Sequence, residues 1–171
     1  DPKSGKAWTR HVFADKDAPG GSHYMGLGDV NGDGLPDIAC GAKGGEKFPG
    51  GEWFAWWEQP KGGKTPWKKH LLSDKQPGAS NILPADLNGD GAMDYFASRG
   101  HAKGAFWFKG PDFKPVEIDP TIDRPHSLAL ADIDKDGDMD AATCGSLVNG
   151  EAVWYENDGK GKFTRHLLGK N

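Results

Sequence analysis

The nonapeptide DVNGDGLPD at Asp29 to Asp37 recurs as DLNGDGAMD at Asp86 to Asp94 and as DIDKDGDMD at Asp132 to Asp140. A loop repeated at such distances belongs to a repeated supersecondary unit, and the repeat constrains the fold more than any single residue. The shared unit extends well beyond the loop. An alternating apolar run precedes each copy (HYMGLGDV, SNILPADL, HSLALADI) and a short run follows it (DIACGA, DYFASR, DAATCG). Next comes an aromatic segment (FAWWEQP, AFWFKGP, AVWYEND) that sets Trp56, Trp107 and Trp154 in register, then a closing run (WKKHLL, FKPVEI, FTRHLL). Runs of this length with period-2 alternation, bounded by Gly, Pro, Asp and Asn, are strands. The 26 Gly and 12 Pro leave no room for long helices.

Four short strands in each unit are the make-up of one β-propeller blade. The sequence therefore predicts an all-β, propeller-type domain over 1–171, with blades at 22–72, 79–118 and 125–168; a β-sandwich is the alternative. The opening run WTRHVF, Trp8 to Phe13, matches the closing runs of the repeats and predicts a lone outer strand at 8–13 belonging to a further blade. Propellers close with 4 to 8 blades. Three predict a partial ring, completed by blades from a missing part of the same chain or from another protomer.

Each nonapeptide has the oxygen spacing of a calcium loop. Hard cations take oxygen ligands, and positions 1, 3, 5 and 9 supply side-chain oxygens while position 7 supplies a carbonyl. The predicted ligands are Asp29, Asn31, Asp33, the Leu35 carbonyl and Asp37 in the first loop. In the second they are Asp86, Asn88, Asp90, the Ala92 carbonyl and Asp94, and in the third Asp132, Asp134, Asp136, the Asp138 carbonyl and Asp140. Up to three Ca2+ ions are expected. Position 12, where an EF-hand carries its bidentate Glu, holds Cys40, Ala97 and Thr143, which removes the helix-loop-helix reading.

With these motifs in view, HSLALADIDKDGDMDAATCG followed by AVWYENDGKGKF resembles the FG-GAP or VCBS repeats. That resemblance implies calcium-binding propellers of the kind found in integrin alpha-chain heads and some lectins, with loops that pin the outer hairpin of a blade. The phrasing is similar to the propellers of aldos-2-ulose dehydratase-like proteins. A family so varied leaves the ligand open.

Net charge is −4, yet the three loops hold 11 of the 25 acidic residues, so the rest of the surface is basic. The lysines are scattered among glycines and not gathered in a stripe, which speaks against nucleic acid as a partner. No apolar run is long enough to span a membrane, and the first residues lack the core of a signal peptide. A secreted, periplasmic or cell-surface location is expected, with any signal removed or outside this sequence. Cys40 and Cys144 stand in no CxxC setting and read as small buried hydrophobes.

Six residues before each loop stand His23, Ser80 and His126. At the start of the innermost strand, His23 and His126 are weak catalytic or metal-binding candidates facing the propeller axis; the other reading has each imidazole bonding a loop carbonyl. His11, His70 and His166 repeat in the outer run and read as blade-to-blade packing or exposed surface, and His101 stands alone in a loop. The matched tryptophans read as inter-blade packing. Phe48 and Trp53, in the inserted GGEKFPGGEWF, are candidate ligand-binding residues for a sugar ring or a partner. No phosphate loop, nucleophile elbow or HExxH helix is present. The sequence thus points first to non-catalytic binding of carbohydrate or protein, with a sugar-modifying lyase or dehydratase, or a structural subunit, as alternatives.

Overall fold

The computed structural model describes residues 5, 7–148 and 150–170, and no helix is found among them. Twelve strands follow in order: β1 Gly21–Gly28, β2 Asp37–Lys43, β3 Trp53–Glu58, β4 Lys68–Ser73, β5 Asn81–Ala85, β6 Asp94–Ser98, β7 Lys103–Lys109, β8 Lys114–Asp123, β9 Pro125–Ala131, β10 Asp140–Gly145, β11 Glu151–Asn157 and β12 Phe163–Lys170. They form three antiparallel meanders in sequence order, β1 to β4, β5 to β8 and β9 to β12. Each nonapeptide is the turn between the first and second strands of its blade. The first strands β1, β5 and β9 lie side by side along the inner edge, and the three sheets do not close a ring. β8 runs to Asp123, five residues past the expected end of the second blade, because bulges at its pairing with β7 let it turn the corner toward β9.

Two apolar layers join the blades. Ala39, Phe54 and Trp56 of the first blade meet Ile82, Tyr95, Ala97, Phe106 and Phe108 of the second. Phe54 stands edge-on to Phe106 and Phe108 at 5.4 and 5.7 Å, and each such buried ring contributes about 1.5–3 kcal/mol. The other face of the second blade, with Phe96, Ala105 and Trp107, packs on Ala141, Val153 and Tyr155 of the third. Trp56 and Trp107 are 5 % and 4 % exposed, each buried by the next blade, as inter-blade packing requires. A polar clasp reinforces the second junction. Buried Asp119 accepts hydrogen bonds from Thr121 N and Oγ1 and from Ile122 N through one oxygen. Its other oxygen accepts from Tyr155 Oη and Arg165 Nε, both at 2.9 Å.

The run Trp8 to Phe13 joins none of the three sheets, so the strand expected there is not formed. Its last residue and the segment following it instead cover the outward face of the first blade. Phe13 packs edge-on to Trp57 and against Trp67, and Ala14 and Ala18 extend the layer. Trp57 Nε1 donates to Asp17 Oδ2 at 3.1 Å and Trp53 Nε1 donates to the Pro19 carbonyl at 3.0 Å. This cover accounts for a sequence pattern. β3, WFAWWE, is apolar on both faces because both are buried, whereas β11, EAVWYEN, keeps alternation because its outward face has no cover.

Candidate functional site

The three acidic loops share one hydrogen-bond scheme. Position 1 accepts from the amide of position 6: Asp29 from Gly34 at 2.9 Å, Asp86 from Gly91 at 2.8 Å and Asp132 from Gly137 at 3.2 Å. Position 5 accepts from the amide of position 7, which belongs to Leu35, Ala92 or Asp138. Position 9 is a latch. One oxygen of buried Asp37, Asp94 and Asp140 accepts from loop residue 2, namely Val30, Leu87 and Ile133. The other accepts from the backbone just past the third strand, at Gln59 and Gly110, or at its last residue, Asn157. The loop is thereby tied to the outer hairpin. Burial pushes Asp37 and Asp94 above the usual carboxylate range, against the pull of those two amides. The donor chemistry fits a hard cation: one oxygen each from Asp132, Asp134 and Asp136 come within 4.8 Å of one another.

A second cluster lies at the inner edge. His23 of β1, His126 of β9 and His101 of the β6–β7 turn converge, each offering a ring nitrogen within 4.8 Å of the others. His101 Nε2 is 3.1 Å from His23 Nε2 and 3.3 Å from His126 Nε2. One ring nitrogen carries either one lone pair or one hydrogen, so His101 Nε2 cannot satisfy both neighbours. A cation among the three nitrogens can. Nitrogens on a tetrahedral zinc, about 2.0–2.1 Å from the metal, stand about 3.3 Å apart, close to the two spacings observed. Tyr24 Oη lies 3.4 Å from His126 Nδ1, where a donated Nδ1–H leaves the Nε2 lone pair facing the cluster. Burial, then Lys43 and His126, hold His23 below its ordinary pKa. Burial, then Lys43, His23, His126 and Arg124, push His101 down to about 4. Both are neutral near pH 7, the form that ligates metal.

The histidine that the second repeat lacks at its strand start is supplied from the adjacent turn. Ser80 occupies the repeat position, and a Cβ on Gly100 would lie 2.8 Å from Ser80 Oγ and 3.2 Å from His126 Cα. Only a glycine over a small residue lets the turn descend so far. Gly78, at φ +74°, meets the same turn from below, where a Cβ would lie 2.6 Å from Ala102 N. Arg99 anchors the turn through Gln76 Oε1 at 2.9 and 2.7 Å. The repeat register finds His23 and His126 but not His101, which has no counterpart in the other repeats; the missing histidine at Ser80 is the signal that marks the gap.

Other expectations change. Trp53 is 4 % exposed and hydrogen-bonded beneath the amino-terminal segment, so it offers no ligand platform. Phe48 remains exposed at the inner side of the inserted loop. Cys40 is buried as expected, but Cys144 is exposed and contacts Ser127 Oγ; both are free thiols. His70 and His166 pack on tryptophans in the outer strands, and His11 is exposed outside the sheets.

The family model described as FG-GAP-like repeat matches residues 29–97 and 86–143, more than half of the chain. No curated protein matches it.

Proposed function

The chain belongs to the FG-GAP-like repeat family, and on that premise we propose that it is a calcium-stabilised propeller module that binds a divalent transition metal, and through it a carbohydrate, at its inner edge. The observation that carries this reading is the convergence of His23, His101 and His126 from three blades onto one point. Three imidazoles from strands and turns far apart in sequence are brought there by the blade packing. The acidic loops serve a different purpose: Ca2+ in each would hold the outer hairpin in shape, in line with the latch formed by Asp37, Asp94 and Asp140. Further blades would extend the partial ring from the uncovered face of the third blade, where Trp154 is half-buried although its counterparts are buried. An extracellular or cell-surface location suits both calcium loading and that role.

Closed structural zinc sites use four protein ligands, and catalytic ones use three and keep a position open. A count of three favours, as a second reading, a sugar-modifying enzyme in which the open position polarises a substrate oxygen. Cobalt titration of the calcium-saturated protein tests the centre. One equivalent with the visible absorption of tetrahedral nitrogen ligation is expected, lost in His101→Ala and retained in His70→Ala. Equal uptake by His101→Ala would sink the proposal.

A further inference from the structure

An open depression of about 360 Å3 adjoins His101 and is lined by Lys43, Lys47 and Phe48. Its size is near the lower end for small-molecule sites. We propose that the ligand taken there is a sugar acid, with its carboxylate between the histidine cluster and Lys43 and its pyranose ring against Phe48. The carboxylate's contact with metal rests on the reading of the histidines as a metal centre; the contacts with Lys43 and Phe48 do not.

The wall of the depression carries two lysines against one acid, Glu46, and the cluster facing it carries no carboxylate among the described residues. A bound dication adds to that excess, so the occupant must supply negative charge. The charge and the aromatic surface also form one patch, with Lys43 Nζ over the Phe48 ring at 4.5 Å from its centroid. Their placement is built into β1: Gly21 pairs with Lys43 across the strands, and a Cβ on Gly21 would lie 2.9 Å from Phe48 Cδ1 and 3.0 Å from Lys43 Cγ. Gly21 is two residues from His23, so one strand sets both the depression and the cluster. Phe48 is held by its own turn, its amide donating to the Gly45 carbonyl at 2.9 Å. A neutral sugar would leave the cations unanswered, and a bare anion such as phosphate or acetate would leave the exposed part of the Phe48 ring uncovered. A carboxylate carried on a sugar ring meets both demands.

Calorimetric titration of the zinc- and calcium-loaded protein with glucuronate, glucose, acetate and phosphate tests this. Glucuronate is expected to bind at least about tenfold more tightly than each of the other three, and Lys43→Gln to weaken it about tenfold, as loss of a hydrogen bond to a charged group does. Phe48→Ala is expected to cost a similar factor for glucuronate and nothing for acetate. Glucose, acetate or phosphate binding as well as glucuronate, or glucuronate affinity unchanged in both variants, overturns the proposal. The zinc-free protein separates the two claims. Lys43-dependent glucuronate binding without zinc uptake overturns the metal centre alone, and zinc uptake without a preference for glucuronate overturns the sugar-acid reading alone.

Discussion

Histidines occur at two radii of this molecule, and their surroundings differ in kind. On the outer strands, His70 lies flat on Trp56 at 4.1 Å and meets Glu58 at 2.8 Å, and His166 lies on Trp154 at 4.6 Å and meets Glu156 at 2.6 Å. Each of these imidazoles has an aromatic floor and a carboxylate within its own blade. At the inner edge, His23, His101 and His126 come from three blades, stand edge-on to one another at 4.6 to 5.7 Å and have no carboxylate partner among the described residues. Repetition within a blade yields a completed local motif. Convergence across blades leaves donor atoms aimed at a common point, and function is sought there.

The contrast breaks most sharply at His101. His101→Ala should lower transition-metal affinity by more than about 100-fold, beyond the 10–100-fold expected for a group that merely orients a ligand, while His166→Ala leaves it unchanged; competition with a metal-responsive dye reads both. Gly100→Ala keeps every imidazole but forces the turn away from Ser80, and should cost about tenfold in affinity, a loss that Gly62→Ala, where a Cβ meets nothing within 4 Å, would not reproduce.

The fold was legible because the repeat register assigns all twelve strands, and the latch residues Asp37, Asp94 and Asp140 belong to the motif itself. The inner cluster was legible only in two parts. His101 lies 78 residues from His23, in a turn without a repeat counterpart, and it joins the cluster because Gly78 and Gly100 admit a close backbone approach that no periodicity encodes. Trp53 reads as part of a glycine-rich insertion, yet a segment more than thirty residues upstream buries it. For the same reason Trp8 to Phe13, which spells an outer strand, forms none: side-chain pattern alone does not supply a partner for the ladder.

Stability effects follow at smaller scale. Asp119→Ala removes the acceptor shared by Tyr155 and Arg165 and should cost about 3 kcal/mol by urea unfolding, against about 0.5 kcal/mol for Glu58→Gln at the partly exposed outer pair. Adding chelator to calcium-loaded protein should lower the melting temperature without altering the order of these variants.

Proton linkage gives a further handle on the inner cluster. In the metal-free folded protein His101 titrates at about 4, against 6.5 unfolded. The unfolded chain therefore binds more protons in that window, and stability falls as pH drops from 6.5 toward 4. His101→Gln should fall less steeply over the same range in chelator.

X-ray absorption at the zinc edge of protein saturated with calcium and given one equivalent of zinc addresses the central claim directly. Three imidazole nitrogens at about 2.0–2.1 Å, reduced to two in His101→Ala, is the predicted result. A shell of carboxylate oxygens alone, placing the zinc in the acidic loops, would contradict it.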